Sequence, residues 1–419
     1  MPTSTVRATA LVALLLAAAC TDPTLEPSAD APGATVPEAL EGVPATAPRN
    51  VVAIEIGGQL RTGVLLDHRR ALFDASLIAT ATVGSSLTVT YNPRGLIQTR
   101  TGRHLDRHPS DPRLAIVQVD PPFVSAPTLI LADPAAPAST NTAVCVAATS
   151  PTSAIEAQGT WSCLPGNPVP VVVHAAVGRR FSEHDVGIPC FRGDGQLLGL
   201  LAAMAVDGPP PPFVDAAAGA PPSPPPPTSA NAWVNPSYPA RAWIANLGEL
   251  ARVRALRDAG SLQVEGPLSL ATTTVTGAEM CFDVPGGSAS PQTPINQYPC
   301  HGGKAQQFYL EWDLAFSSFR IYSNASGLCL DVASASTVSG AAIQQYGCTN
   351  QPNQRWRSSS SLGNSLGNFK LRADHATGLC ASAWTGLTAT TPGLAITDRT
   401  CVTTNDAHQR WHRIARTPS

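Results

Sequence analysis

Three copies of one cysteine pattern fill the last third of the chain, and they constrain its fold more than any other feature. The first cysteines of the copies lie 48 and 51 residues apart, and a second cysteine follows each of them 19 to 21 residues later. A glutamine, one further residue and an aromatic residue then follow the second cysteine in every copy. One copy is too small to bury its own apolar face, so three copies predict a closed barrel with pseudo-threefold symmetry. The residues of the pattern are Cys281, Cys300, Gln306 and Phe308; Cys329, Cys348, Gln354 and Trp356; and Cys380, Cys401, Gln409 and Trp411.

The repeat also predicts the disulfide bonds. Six cysteines allow fifteen connectivities, and the repeat selects the pairing within each copy, Cys281–Cys300, Cys329–Cys348 and Cys380–Cys401. Each bridge closes a loop of about 20 residues and contributes about 3 kcal/mol if it is unstrained. We expect the aromatic residue of each copy to pack toward a shared core. We expect the glutamine before it to hydrogen-bond nearby backbone.

The pattern resembles the ricin B-type lectin family, a β-trefoil that binds sugars, over residues 268–416. The resemblance implies four site residues in each copy: an aspartate after the first cysteine, an aromatic residue before the second, and an asparagine–glutamine pair. A carboxylate accepts hydrogen bonds from vicinal hydroxyls, an amide donates another, and a ring stacks on the C–H face of a sugar. The middle copy has all four residues, namely Asp331, Tyr346, Asn353 and Gln354.

The other two copies depart from the family pattern. The first keeps Asp283, Tyr298 and Gln306 but has Ala305 in the asparagine place, where His301 is a substitute donor, so we predict a weaker site. The third has Ser382, Arg399 and His408 in the places of the aspartate, the aromatic residue and the asparagine, so we predict a lost site. The alternative is a trefoil kept as a spacer or as a platform for a protein, with Asp331 capping a turn.

The central region, residues 50–262, has short runs of Val, Ile, Leu and Thr between turn residues, as in a barrel or sandwich. Four segments resemble, in order, stretches of the trypsin-like serine proteases: 63–76, 114–119, 184–199 and 238–244. The resemblance implies a double β-barrel with a closing helix. Residues 208–228 form a Pro-rich insertion that we expect to be exposed polyproline II. The predicted fold class is therefore all-β, a trypsin-like double β-barrel followed by a β-trefoil.

The resemblance places Ser76, Arg113 and Val186 where the family has its catalytic His, Asp and Ser. These residues supply neither an imidazole base nor a hydroxyl nucleophile, so we predict no protease activity. His68, Asp111 and Ser182 are nearby but lie several residues from the expected positions. The resemblance pairs Cys145 with Cys190 and leaves Cys163 free, while a local Cys145–Cys163 bridge is a second option.

The first twenty residues predict export. Arg7 precedes eleven apolar residues, 10–20, which is too short for a membrane span and fits a secretory signal. The run ends in Leu16-Ala17-Ala18-Ala19-Cys20, which resembles a bacterial lipobox with a lipidated Cys20, although Leu stands one place further from the cysteine than is usual. Ordinary cleavage after Ala19 and secretion is the alternative. Residues 21–49, rich in Pro, Ala and Thr, read as a disordered tether to an outer-membrane or surface anchor.

Composition narrows the function further. Charged residues make up 13% of the chain, the formal net charge is −2, and no basic stripe is present, which argues against nucleic-acid binding. Far-spaced cysteines favour an oxidising compartment. His104 and His108 are poor candidates for metal ligands, because Gly102 and Pro109 favour a surface loop over a helix. We therefore predict no metal and no cofactor. The leading hypothesis is a glycan-binding surface lipoprotein with an inactive protease domain. The rivals are a lectin-targeted secreted serine endopeptidase and a pseudoenzyme that binds a protein partner.

Overall fold

The computed structural model describes residues 43–44, 50–75, 87–109, 111, 113–133, 141–163, 171–176, 181–182, 185–204, 228–229, 231–236, 241–273, 279–359, 369–383, 391–404 and 407–416. The chain divides into two compact units, Met1–Arg241 and Ala242–Ser419. Cys20, Ser76 and almost all of the Pro-rich insertion lie outside the described residues. None of the helices in the described part of the chain is long and apolar enough to cross a membrane.

Six strands at the start of the first unit close into an antiparallel barrel, in the order β2-β3-β4-β7-β6-β5. Alternate residues of these strands point inward, as the two-residue period of a strand requires, and Ile54, Phe73, Val89 and Val117 lie in the barrel core. The six strands are β2 (Val51–Ile56), β3 (Gln59–Asp67), β4 (Arg70–Asp74), β5 (Thr88–Tyr91), β6 (Gln98–Arg107) and β7 (Leu114–Asp120), with a 3-10 turn at Pro93–Gly95; β1 (Val43–Pro44) precedes them and belongs to the next sheet.

The following strands form a second ring of six, because β8 pairs with both β9 and β12 and so closes the order β8-β9-β10-β15-β13-β12. Cys145 on β8 is directly opposite Cys190 on β12, and the two form a disulfide. The six strands are β8 (Thr142–Ser150), β9 (Ser153–Cys163), β10 (Val171–Ala175), β12 (Pro189–Arg192), β13 (Leu197–Met204) and β15 (Asn231–Pro236), and β11 (Phe181–Ser182) and β14 (Thr228–Ser229) form a separate pair. Two successive six-stranded barrels are the architecture that the trypsin-like resemblance implies.

The structure decides the pairing of Cys145 and corrects two expectations, for the segment around His104 and for the tether. Cys145 pairs with Cys190, so the local Cys145–Cys163 bridge is not formed, and Cys163 is buried. His104 lies in β6 and is buried, not in a surface loop, because the strand continues past Gly102 through a register shift. The segment expected to be a disordered tether contains β1, which pairs with β9.

The second unit begins with a helix, α1 (Arg241–Asp258), whose buried residues recur at helical spacing from Trp243 to Arg254. Its second half is held on the barrel that follows. Arg252 makes two hydrogen bonds to Glu311, at 2.6 and 3.0 Å, and the fully buried Arg254 donates to Asn324 Oδ1 at 2.5 Å. The trypsin-like resemblance implies that this helix closes the double barrel, whereas the structure groups it with the trefoil.

Fourteen strands follow, and they form three lobes of one design. In each lobe the first and last strands belong to a six-stranded barrel, closed by pairings between β16, β20, β21, β24, β25 and β29, with a Phe369–Trp411 bridge. The middle strands of each lobe form a hairpin that caps the barrel. We name the lobes first (264–313), middle (318–358) and third (371–415). The strands are β16 (Val264–Thr273), β17 (Glu279–Asp283), β18 (Thr293–Pro294), β19 (Asn296–Pro299), β20 (Phe308–Asp313), β21 (Ser318–Ser323), β22 (Cys329–Val332), β23 (Ala341–Tyr346), β24 (Trp356–Ser358), β25 (Leu371–Ala373), β26 (Leu379–Ser382), β27 (Leu394–Ala395), β28 (Thr397–Thr400) and β29 (His412–Ala415).

The repeated residues do what the sequence predicts. Phe308, Trp356 and Trp411 are buried in one core. Each preceding glutamine bonds the loop after its second cysteine; Gln354, for example, accepts from the Thr349 amide at 2.7 Å and donates to the Gly347 carbonyl at 2.8 Å. All three predicted disulfides are formed. The predicted fold class, a trypsin-like double β-barrel followed by a β-trefoil, is therefore confirmed.

Candidate functional site

The middle lobe brings its predicted site residues to one face of its hairpin. Asp331 on β22 is directly opposite Gln344 on β23, and Cys329 is opposite Tyr346. Opposed residues of an antiparallel pair project from the same face, as do residues two apart along a strand. Asp331 and Tyr346 are therefore diagonal neighbours, about 7 Å apart, on one side of the hairpin.

Asp331 is oriented by three side-chain amides. Its Oδ1 accepts from Gln344 at 2.9 Å, and its Oδ2 accepts from Asn353 at 2.7 Å and from Gln354 at 3.0 Å. Burial raises the pKa of Asp331, and the hydrogen bonds from Gln344, Gln354 and Asn353 and the nearby His375 oppose that rise. The carboxylate is thus fixed, and of its roughly four lone-pair positions about one, on Oδ1, is left for a further donor.

The wall and rim of this pocket are more open than its base. Tyr346 is 38% exposed, whereas Asp331 is 4% exposed. The two residues at the turn after β22, Ser334 and Ala335, have φ of 56° and 50°, in the left-handed region. In the first lobe, Gly286 and Gly287 hold the same left-handed turn at φ of 63°. The pocket combines an anchored acceptor with an exposed ring, which is the chemistry that a sugar ring requires.

The first lobe forms the same constellation with one replacement. Asp283 is opposite Asn296, and Tyr298 follows two residues later. Ala305 occupies the asparagine place, and His301 Nε2 lies 3.4 Å from Asp283 Oδ1 instead. His301 Nδ1 accepts from the Gly303 amide, which leaves Nε2 to carry the proton in the neutral ring. Burial raises the pKa of Asp283, and Gln306 and His301 oppose it.

The third lobe holds the equivalent positions without a carboxylate. Ser382 is opposite Thr397, and Cys380 is opposite Arg399. The Ala383 amide donates to the His408 carbonyl, as the Val284 amide donates to the Ala305 carbonyl in the first lobe. His408 therefore stands in the place of Asn353.

Sequence reasoning missed Gln344, Asn296 and His375. The first two precede the pocket tyrosine by two residues, so the period of the strand would have placed them on the pocket face. His375 comes from the third lobe, where its Nε2 lies 2.8 Å from the Ser336 carbonyl in the turn beside Asp331. No spacing rule within one copy could have found it.

The upstream barrels hold two of the three triad places within the described residues. The Arg113 carbonyl accepts from the Ala75 amide at 2.6 Å, and its side chain is paired with Asp111 at 3.1 Å. Val186 packs against the core of the second barrel. The third place, Ser76, lies outside the described residues.

The structure describes the side chains of two of the three substitutes considered from sequence. His68 is exposed at the turn between β3 and β4, and Asp111 is engaged by Arg113. One serine–histidine pair does occur, with Ser162 Oγ 2.8 Å from His174 Nε2. It lies on the outer face of β9 and β10, since Trp161, Cys163 and Val173 point into the core. No metal-binding group of His, Cys, Asp and Glu is found among the described residues.

These features define a disulfide-stapled β-trefoil with hairpin pockets, preceded by a double β-barrel. The sequence model of the family described as the ricin-type beta-trefoil lectin domain matches residues 271–411. The C-terminal unit therefore contains a ricin-type lectin domain, a non-catalytic module for carbohydrate binding. Four disulfides also indicate a protein that matures outside the cytosol.

Several solved structures are similar to parts of the chain. The designed threefold-symmetric protein ThreeFoil is 28% identical, covering 35% of this chain and 97% of its own, with a TM-score of 0.30. The ricin B-like lectin of Macrolepiota procera in complex with lactose is 21% identical over 36% and 97%, with a TM-score of 0.29. The protein Rv3671c of M. tuberculosis H37Rv, as an inactive serine-to-alanine mutant, is 20% identical over 51% and 97%, with a TM-score of 0.33. No curated protein matches the chain.

Proposed function

We propose that this chain is an exported glycan-binding lipoprotein that holds sugar mainly in the middle-lobe pocket. The observation that carries this proposal is the fixed Asp331 carboxylate beside the exposed Tyr346 ring on one face of the hairpin. Vicinal hydroxyls of a sugar donate to Asp331, and the C–H face of the sugar stacks on Tyr346. Asn353 and Gln354 orient the carboxylate for this task.

The first-lobe pocket is the weaker partner in this proposal. Asp283 is oriented by Gln306 and by a histidine at 3.4 Å, where Asp331 has three amide donors at 3.0 Å or less. A less constrained carboxylate loses more freedom when a sugar binds, which lowers the affinity. Dissociation constants near millimolar are expected for single shallow sites of this kind.

A glycan array with paired tyrosine variants tests the proposal. Tyr346→Ala and Tyr298→Ala remove the same ring from equivalent positions of two lobes, so any general effect on folding is matched. We expect Tyr346→Ala and Asp331→Ala to reduce array binding at least tenfold and Tyr298→Ala to reduce it by less than half. Undiminished signal in Asp331→Ala would refute the middle pocket and would favour the trefoil as a platform for protein.

The double barrel, in this proposal, has lost serine-protease chemistry. A hydroxyl nucleophile needs an imidazole base, and the base needs a carboxylate. Arg113 stands in the place of the carboxylate and Val186 in the place of the nucleophile, and neither residue can do that chemistry. The Arg113 side chain is paired with Asp111 instead. A role for the barrel in holding a protein partner stays a prediction from sequence.

We further propose that Cys20 carries a lipid and that residues 21–42 act as the tether. The support is the run 10–20 with its closing cysteine and the Pro- and Ala-rich stretch after it. Secretion after cleavage at Ala19 is the alternative. The four disulfides of the folded units agree with export by either route.

A further inference from the structure

The pocket face of the third lobe carries a set of side chains that the loss of a sugar site does not explain. Four positions define each pocket face: the residue after the first cysteine, its cross-strand partner, the residue two beyond that partner, and the residue before the core glutamine. In the middle lobe they are Asp331, Gln344, Tyr346 and Asn353. In the third lobe they are Ser382, Thr397, Arg399 and His408.

Three of the four replacements in the third lobe remove a negative charge or add a basic group, and the fourth, Thr397 in the place of Gln344, leaves the charge unchanged. The base loses a carboxylate and gains a hydroxyl, the wall gains a guanidinium, and the rim gains an imidazole. Arg399 is half-buried, and its Nε donates to Thr397 Oγ1 at 3.0 Å, which holds the guanidinium against the pocket face. The strand's own acid, Asp398, projects from the opposite face of β28, because it lies between Thr397 and Arg399.

The base of this face contains an unsatisfied polar atom. Ser382 is fully buried, and its Oγ has no hydrogen-bond partner among the described residues. A buried hydroxyl without a partner is uncommon in folded proteins and calls for an explanation. A ligand oxygen above Thr397 and Ser382 would give it one.

We propose that the third lobe is a binding site for acidic sugars, whose carboxylate or sulfate is held by Arg399 and His408 while Thr397 and Ser382 face the ring hydroxyls. A guanidinium binds planar oxyanions with two parallel hydrogen bonds, which a neutral hexose cannot accept in the same way. The site therefore favours acidic sugars over the neutral sugars proposed for the middle lobe. This inference rests on the proposed function in so far as both assign sugars to the hairpin pockets.

Binding of the full chain to two matched probes tests the inference. Galacturonate and galactose oligosaccharides differ in the C6 group alone, and galactose 6-sulfate oligosaccharides separate sulfate from carboxylate. We expect Arg399→Gln to weaken binding of the acidic probes at least tenfold and to leave the galactose probe unchanged, with Asp331→Ala doing the reverse. Arg399→Lys, which keeps the charge and loses the planar fork, should retain part of the acidic binding.

Ionic strength gives an independent readout. Acidic-probe binding should fall severalfold between 50 and 500 mM salt, and neutral-probe binding should not. If wild type binds galactose but no acidic probe, or if Asp331→Ala abolishes acidic binding while Arg399→Gln spares it, the third-lobe site is wrong. If acidic probes bind through Arg399 and no neutral sugar binds anywhere, the middle-lobe proposal fails and this one stands.

Discussion

One buried acid in the trefoil departs from the pattern of the other two lobes. Gln345 donates to the Ser288 and Ser290 carbonyls at 2.8 Å, and Gln297 donates to the Thr391 carbonyl at 2.9 Å. The same strand position in the third lobe is Asp398, which is fully buried with neither carboxylate oxygen hydrogen-bonded among the described residues. Because burial without a hydrogen bond penalises the charged carboxylate, the position favours the protonated form. Burial accordingly raises the pKa of Asp398 to about 7.

Asp398→Gln is expected to stabilise the trefoil at alkaline pH and to have little effect in mild acid. The folded protein keeps a proton that the unfolded chain releases near its ordinary pKa of about 4. The stabilising contribution is therefore full below pH 4 and is lost as the pH rises through about 7. We expect the variant to gain about 2 kcal/mol of unfolding free energy at pH 8 and much less at pH 5.

Denaturant unfolding of the full chain at both pH values measures this difference. Gln345→Asp is the reciprocal control. It places a buried carboxyl group at the equivalent position of the middle lobe, and this variant should lose stability as the pH rises. Parallel pH profiles for wild type and Asp398→Gln would contradict the assignment.

At the scale of elements, the helix α1 is tied to the trefoil by one charged network. Glu311 on β20 accepts from Arg252, from Arg320 at 2.8 Å and from Tyr322 at 2.8 Å. Burial alone would raise the pKa of Glu311, but the hydrogen bonds from Arg252 and Tyr322 outweigh it and lower the pKa. The network therefore contributes stability above the ordinary pKa of glutamate and loses it as the pH falls through the lowered value.

Arg252→Gln is expected to destabilise the helix–trefoil unit by about 2 kcal/mol at pH 7, because hydrogen bonds to a charged group of low exposure are lost. The loss should shrink in strong acid, where Glu311 is protonated in both proteins. Arg257→Gln on the same helix, whose partner is its neighbour Asp258, is the control and should change stability by less than about 0.5 kcal/mol. Equal effects of the two variants would show that the helix is not held through Glu311.

The repeat made the trefoil predictable, and the places where prediction failed have physical causes. Periodic cysteines and core aromatics report on contacts within a copy, so the disulfides and Trp356 followed from the sequence. His375 reaches the middle pocket from another lobe, and Arg252 of α1 binds Glu311, 59 residues later, so neither has a local signal. His104 was expected in a loop because Gly102 breaks regular pairing, but a register shift absorbs that break and the strand continues.

At the scale of the whole molecule, the double barrel resembles a protease, whereas the lectin domain indicates sugar binding without catalysis. We expect the purified full chain to leave casein intact, because Arg113 and Val186 cannot activate or supply a nucleophile. An organophosphonate reporter should label no serine. Cleavage that Ser162→Ala removes would instead assign activity to the Ser162–His174 pair, and cleavage that survives it would place a nucleophile elsewhere in the chain.

Weak single sites gain most in avidity when many copies are held on one surface. The proposed lipid anchor would provide that surface, so its effect on binding can be measured. A site near millimolar retains little on its own, whereas linked copies gain about 10²- to 10⁴-fold in avidity. We expect bacterial membrane vesicles that display the chain to bind sugar-coated beads, and we expect Cys20→Ala chains to appear in the soluble fraction and to bind the same beads weakly. Vesicles with Asp331→Ala keep the anchor and should lose the beads, which separates anchoring from recognition. Recovery of wild-type chains as soluble protein beginning at an unmodified Cys20 would replace the lipoprotein with a secreted lectin.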